Sequence, residues 1–166
     1  MAYRIGVISD THGLLRPEVA QAFKGVGQII HAGDVGSPLI LEALNKVAPV
    51  TVVRGNTDSA AWARGFPPSA VVEIGGVHLY VLHNLAELDL DAAAGGFAAV
   101  IYGHSHRQSQ ETRGGVLYFN PGSAGPRRFS LPASVGRITI EESGTGLEIR
   151  GEIIPLPDVY QMCTNV

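Results

Sequence analysis

The chain is poor in cysteine, lysine and charge. Its single cysteine, Cys163, rules out an internal disulfide and any cysteine-ligated zinc module. Lys24 and Lys46 are the only lysines, the net charge is −3, and charged residues make up 16% of the chain, against about 25% in a typical domain. No basic stripe is present, so a nucleic-acid surface is not expected. No apolar run approaches the roughly 20 residues that span a bilayer, and the stretch Met1–Asp10 is too short for a signal peptide. These deficits predict a soluble, cytoplasmic protein with no membrane partner. What is abundant is glycine. The 166 residues contain 21 Gly, where average usage gives roughly 12. With 45% hydrophobic residues and no low-complexity run, the chain reads as one globular, turn-rich domain over residues 1–166.

Apolar runs at Ile5–Ser9, Gln28–His31 and Val50–Val53 read as strands, with helices predicted at Pro17–Phe23 and Ser37–Val47. Ser37 is a plausible N-cap, and Pro38 takes the first helical position. This alternation predicts a parallel α/β sheet. Ala70–Ile74 and Val77–Leu82 flank Gly75-Gly76, a hairpin signal. Leu85–Ala94 is expected to be a short helix, and Ala98–Tyr102 and Val116–Phe119 buried strands. Val135–Glu141 and Leu147–Ile154 form a second expected hairpin, followed by a trailing segment, Pro155–Val166. The apolar stretch Trp62–Pro68 suits packing or a subunit contact. No internal repeat or linker interrupts the chain.

Six strand-like runs end in polar clusters: Asp10/His12, Asp34, Asn56/Asp58, His83, His104/His106 and Asn120. In open α/β sheets, sites form beyond the carboxyl ends of strands. Imidazole with carboxylate suits Mn, Fe, Ni or Zn, whereas an all-oxygen set suits Mg or Ca. Asp10, His12, Asp34, Asn56, His83, His104 and His106 are too many ligands for one ion. Two divalent ions sharing a carboxylate would use them, and would leave a local charge of about +2 for an anionic substrate such as a phosphate ester. His31 reads as structural and His78 as a surface residue. Asn120-Pro121-Gly122-Ser123 reads equally as a tight turn or as a loop packed beneath the metals.

Asp10-x-His12, Gly33-Asp34, Gly55-Asn56, His83 and Gly103-His104-x-His106 stand in the order of the calcineurin-like metallophosphoesterase motifs, which the chain resembles. Its size, its Gly-Asn-x-Asp element and its Asn-Pro-Gly-Ser block make it most similar to the small prokaryotic YfcE-type phosphodiesterases. The resemblance implies a four-layer α/β sandwich of two mixed β-sheets flanked by helices. It assigns Asp10, His12 and His106 to one metal, Asp34 to a bridge, and Asn56, His83 and His104 to a second metal, with Mn the preferred guess and Ni, Fe, Co or Zn as alternatives. It implies a phosphodiesterase that hydrolyses a small-molecule phosphate ester by attack of a metal-bridging hydroxide, and relatives of this kind are often dimers or tetramers. Asp34, Asn56 and His83 are the expected catalytic residues. Thr57 occupies the position where many relatives carry a histidine that serves the leaving group. Asp58 is the remaining nearby acid, and good leaving groups should be favoured. Arg54, Thr57 and Arg127 are candidate substrate-binding residues; Arg128 beside Arg127 is equally readable as a surface residue. Asn84 stands where relatives more often have Gly. The alternative is a non-catalytic scaffold like the retromer subunit that shares this resemblance. A single-metal hydrolase of the amidohydrolase type is excluded by length, because its barrel needs about 250 residues.

Overall fold

The computed structural model describes residues 1–157. Ten strands form two five-stranded sheets. The first contains β1 (Ala2–Ile8), β2 (Gln28–His31), β3 (Val50–Val52), β9 (Ser134–Ser143) and β10 (Gly146–Pro155), in the order β10-β9-β1-β2-β3. The second contains β4 (Ser69–Ile74), β5 (Val77–Leu82), β6 (Phe97–Ile101), β7 (Ser109–Arg113) and β8 (Val116–Asn120), in the order β4-β5-β6-β8-β7. Both sheets are mixed. β1, β2 and β3 run parallel, as do β5, β6 and β8, and the remaining strands pair antiparallel.

The sheets pack face to face on one apolar core. Ile5, Val7 and Ile30 of the first sheet meet Leu79, Val81, Ile101 and Phe119 of the second. The outer face of the first sheet buries Val19 of α1 (Glu18–Ala22) and Ile40 and Leu44 of α2 (Pro38–Asn45). Ser37 caps α2 as expected, its hydroxyl accepting from the Leu39 amide at 3.3 Å; such a cap is worth about 1 kcal/mol. Trp62 and Phe66, both partly buried, pack against this outer cluster.

Three sequence expectations change. Leu85–Ala94 is not a helix: only Leu85–Glu87 forms a single 3₁₀ turn. Leu85, Leu88 and Leu90 cover the outer face of the second sheet without a 3.6-residue period, and Asp91 closes the next turn on the Ala94 amide. β7 escaped detection because its residues face solvent and show no apolar alternation; the Gly114-Gly115 turn before β8 was its only sequence mark. The trailing segment begins later than expected. Pro155 pairs with Ser134, and Leu156 is buried with its amide on Ala133 O. The rest of that segment, residues 158–166 with Cys163, lies outside the described residues. No helix among the described residues is long and apolar enough to cross a membrane.

Candidate metal centre

The six polar clusters follow the six parallel strands, three from each sheet. Neighbouring strand ends are level, because Ile8 pairs with His31, His31 with Val52, Val81 with Ile101, and Ile101 with Phe119. All the candidate loops therefore open at one end of the sandwich.

The backbone at these strand ends is strained. Among the described residues, six non-glycine residues have positive φ: Asp10, His12, Asp34, His104, His106 and Phe129. Five of them are candidate ligands. Left-handed backbone is costly for side-chain-bearing residues and concentrates at functional sites. The surrounding contacts enforce it. Asp10 N donates to Gly33 O and His12 N to Asp34 O, each at 3.0 Å, tying the two loops together. Glycine is required where loops cross: a methyl group at Gly55 would overlap Asp34, and one at Gly103 would overlap Ser9 Oγ and Asp10 Oδ2.

The two carboxylates share one design. Asp10 Oδ2 accepts from Ser9 Oγ at 2.6 Å and from the His104 amide at 3.1 Å. Asp10 Oδ1 is buried, has no hydrogen-bond partner and lies 3.3 Å from His106 Nε2. Asp34 Oδ1 accepts from the Thr57 amide at 2.9 Å, and Asp34 Oδ2 lies 3.2 Å from His83 Nε2. In each carboxylate one oxygen is tethered and the other is turned toward the imidazoles. His12 Nε2 stands 3.7 Å from both of those inward oxygens. Asn56 Oδ1 lies 3.0 Å from His83 Nε2 and 3.0 Å from His104 Nδ1.

Ring orientation suits ligation. His83 Nδ1 donates to Ala32 O at 2.7 Å, which leaves Nε2 with its lone pair facing the cluster. Burial opposes the Asp10 charge, but the nearby imidazoles of His106 and His12 and the Ser9 hydrogen bond hold its carboxyl well below the usual carboxylate range. Asp34 is likewise lowered despite burial, by His83 and by Thr57. Burial opposes protonation of His83, yet its contact with Asp34 and the charge of Asp10 raise it.

Two sets of ligand atoms lie within 4.8 Å of one another: Asp10, His12 and His106, and Asp10, Asp34 and His83. His12 Nε2 and His106 Nε2 face each other at 3.3 Å beside the orphaned Asp10 oxygen. A buried polar atom without a partner is costly, and a divalent cation would satisfy this one. The donor set fits such an ion.

The calcineurin-like phosphoesterase superfamily domain matches residues 3–143. The chain belongs to this superfamily. A probable metallophosphoesterase of Methanocaldococcus jannaschii is 30% identical over 167 residues, covering 93% of this chain and 82% of its own. The YfcE phosphoesterase of Escherichia coli superposes with a TM-score of 0.62 at 25% identity, covering 91% of this chain and 99% of its own. Vacuolar Protein Sorting 29 of Cryptosporidium parvum superposes at 0.71 with 18% identity, covering 95% and 99%, a likeness of fold.

In this metallophosphoesterase two expected substrate or acid residues lie elsewhere. Asp58 is buried, and its oxygens accept from the amides of Asp34, Val35 and Gly55 at 2.9–3.0 Å and of Gly36 at 3.4 Å. So engaged, it pins the Asp34 loop to the Asn56 loop and is not a proton donor to a leaving group. Arg127 lines a separate cavity with Arg16, Pro132 and Leu156, whereas Arg54 lines the cavity beside Asn56, His83 and His104.

Residues the sequence marked less clearly hold the loops. His31 is fully buried. Gly33 N donates to its Nδ1 at 3.1 Å, so its Nε2 carries the proton and donates to Thr11 Oγ1 at 3.0 Å; Thr11 in turn donates to Val35 O. Burial pushes His31 down to about 4, against the opposing charge of Asp10. The Asn120-Pro121-Gly122-Ser123 block is more than a tight turn. Asn120 Nδ2 donates to Gly103 O, and Ser123 Oγ donates to Asp10 O. Ser9, which orients Asp10, carried no sequence signal beyond its place at a strand end.

Proposed function

We propose that this metallophosphoesterase is a cytoplasmic phosphodiesterase acting on a small-molecule phosphate ester with two divalent ions, manganese being preferred. The observation that carries this reading is the matched pair of carboxylates, Asp10 and Asp34, each with one oxygen tethered and one turned toward imidazoles. Asp10, His12 and His106 would hold one ion, and Asn56, His83 and His104 the other, with Asp34 between them. When bound, the ions supply Lewis-acid charge for the phosphoryl oxygens and a water acidic enough to attack phosphorus. Backbone groups keep that geometry rigid: the Thr57 amide fixes Asp34, and Ala32 O fixes the His83 ring. Thr57 itself is no general acid, so the leaving group departs without side-chain protonation and good leaving groups react best. Arg54 lines the cavity that Asn56 and His104 line, which supports its reading as a partner for a phosphoryl oxygen. The diester preference is supported by relatives named phosphodiesterases, including the Escherichia coli protein. A binding scaffold is the second reading, suggested by the fold shared with Vacuolar Protein Sorting 29.

The test is a screen of phosphomonoesters and phosphodiesters after reconstitution of metal-free protein with Mn, Fe, Co, Ni or Zn, with metal content measured on the same samples. Diester turnover with about two ions per chain is expected. Two bound ions without turnover would establish the scaffold instead, and full turnover with one ion would overturn the dinuclear assignment.

A further inference from the structure

We propose that the cavity beside the metal centre is a subsite for an uncharged, hydroxyl-bearing ester substituent, with Glu87 excluding substituents that carry further negative charge. This rests on the phosphodiesterase reading and names its substrate class. The cavity holds about 210 Å³. The ligand candidates Asn56, His83 and His104 line it together with Arg54, Asn84 and Glu87. Among the described residues, the Arg54 guanidinium and the Glu87 carboxylate enter no hydrogen bond or ion pair. Two opposite charges thus line one cavity and are left for a ligand.

They offer different chemistry. Arg54 gives a planar fork of donors suited to a phosphoryl oxygen. Glu87 only accepts, so it takes hydroxyl donors and repels an added phosphate or carboxylate. The volume is below the roughly 300–1,000 Å³ of sites for drug-sized ligands, so a sugar- or glycerol-sized group fits and a larger attachment must project into solvent. Glu87 is held in place by the chain that follows His83. Asn84 Oδ1 accepts from Ala86 N, and Glu87 N donates to Asn84 O, each at 3.0 Å. The Asn that stands where relatives more often have Gly is the cap of the turn that presents Glu87.

Thymidine 5′-(4-nitrophenyl phosphate) and its 3′-phosphorylated form share a leaving group and differ by one anionic group on the sugar. Metal-loaded wild type should favour the 3′-hydroxyl substrate by about tenfold or more in kcat/KM, mainly through KM, the scale of a hydrogen bond to a charged group. Glu87→Gln should shrink that ratio and Glu87→Arg should invert it. A mere structural role for Glu87 would change both substrates alike and leave the ratio where it was. One ratio shared by all three proteins overturns the subsite. If the wild type with bound metal turns over neither nucleotide nor bis(4-nitrophenyl) phosphate, the phosphodiesterase reading falls separately. Calorimetric binding of the two nucleotides to the same three proteins then decides the subsite by the same comparison.

Discussion

The two halves of the candidate metal centre face water very differently. In the half formed by Asp10, His12 and His106, Asp10 is 0% and His106 5% exposed. In the half formed with Asn56, His83 and His104, both Asn56 and His104 are exposed. For Asp10 and Asn56 the cause is topological. β1, which delivers Asp10, is the middle strand of its sheet, and the Asn120–Gly125 segment covers its end through Ser123 Oγ and Gly125 N on Asp10 O. β3, which delivers Asn56, is an edge strand. The first half keeps Asp10 and His106 from water and leaves His12 partly exposed; the other, apart from buried His83, opens onto the cavity lined by Arg54 and Glu87. The proposed substrate subsite lies on the open side.

The most severe way to break this division is to remove the carboxylate proposed to lie between the halves. Asp34→Asn should lower diester turnover by about 10³-fold or more, on the order of 4 kcal/mol of transition-state stabilisation, and reduce bound metal below two ions per chain. A metal-loaded variant with full activity would sink the mechanism. Single imidazole removals should then separate the halves. His106→Ala should lose an ion that excess metal does not restore. His104→Ala should weaken apparent metal affinity by about 10–100-fold or more, since loss of a group that merely supports a ligand already costs that much, and recover turnover in excess Mn. Equal responses in a metal titration of the two variants would erase the distinction.

The effect furthest from the chemistry concerns His31, which supports the buried half through Thr11. Its folded value of about 4 lies below its ordinary 6.5. The unfolded chain therefore takes up a proton that the folded chain refuses. Stability is complete above pH 6.5 and declines as pH falls toward 4, by about 3 kcal/mol at most. Because the raised His83 contributes with the opposite sign, urea titrations of the metal-free protein should show this loss between pH 6.5 and 4.5 as a difference from a His31→Gln variant. A difference that stays flat across that window, or ring nitrogen shifts showing a charged His31 at pH 5.5, would refute the neutral imidazole.

Much of this molecule was legible before folding. Apolar runs that end in Asp, Asn or His announce both a buried strand and a polar strand end, so β1, β2, β5, β6 and β8 and their loops could be placed together. Asp58 was misread because its neighbour in sequence, Asn56, is not its partner in space. Its oxygens are taken by amides from a loop more than twenty residues away. Arg127 was misread for a similar reason: the segment after Gly125 leaves the metal centre, and Arg127 lines another cavity. The helix expected at Leu85–Ala94 failed because apolar content alone does not set periodicity.

The sequence by itself determined which atoms are available: two carboxylates, one amide and four imidazoles, each at a strand end, with glycines where loops must cross. That follows from local chemistry, since strand propensity, turn residues and ligand type are written residue by residue. Only the tertiary structure decided which oxygen of each carboxylate is tethered, which half is buried, and that Arg54 and Glu87 share a cavity. Those properties depend on strand order and on hydrogen bonds between loops distant in sequence, and no local pattern encodes them.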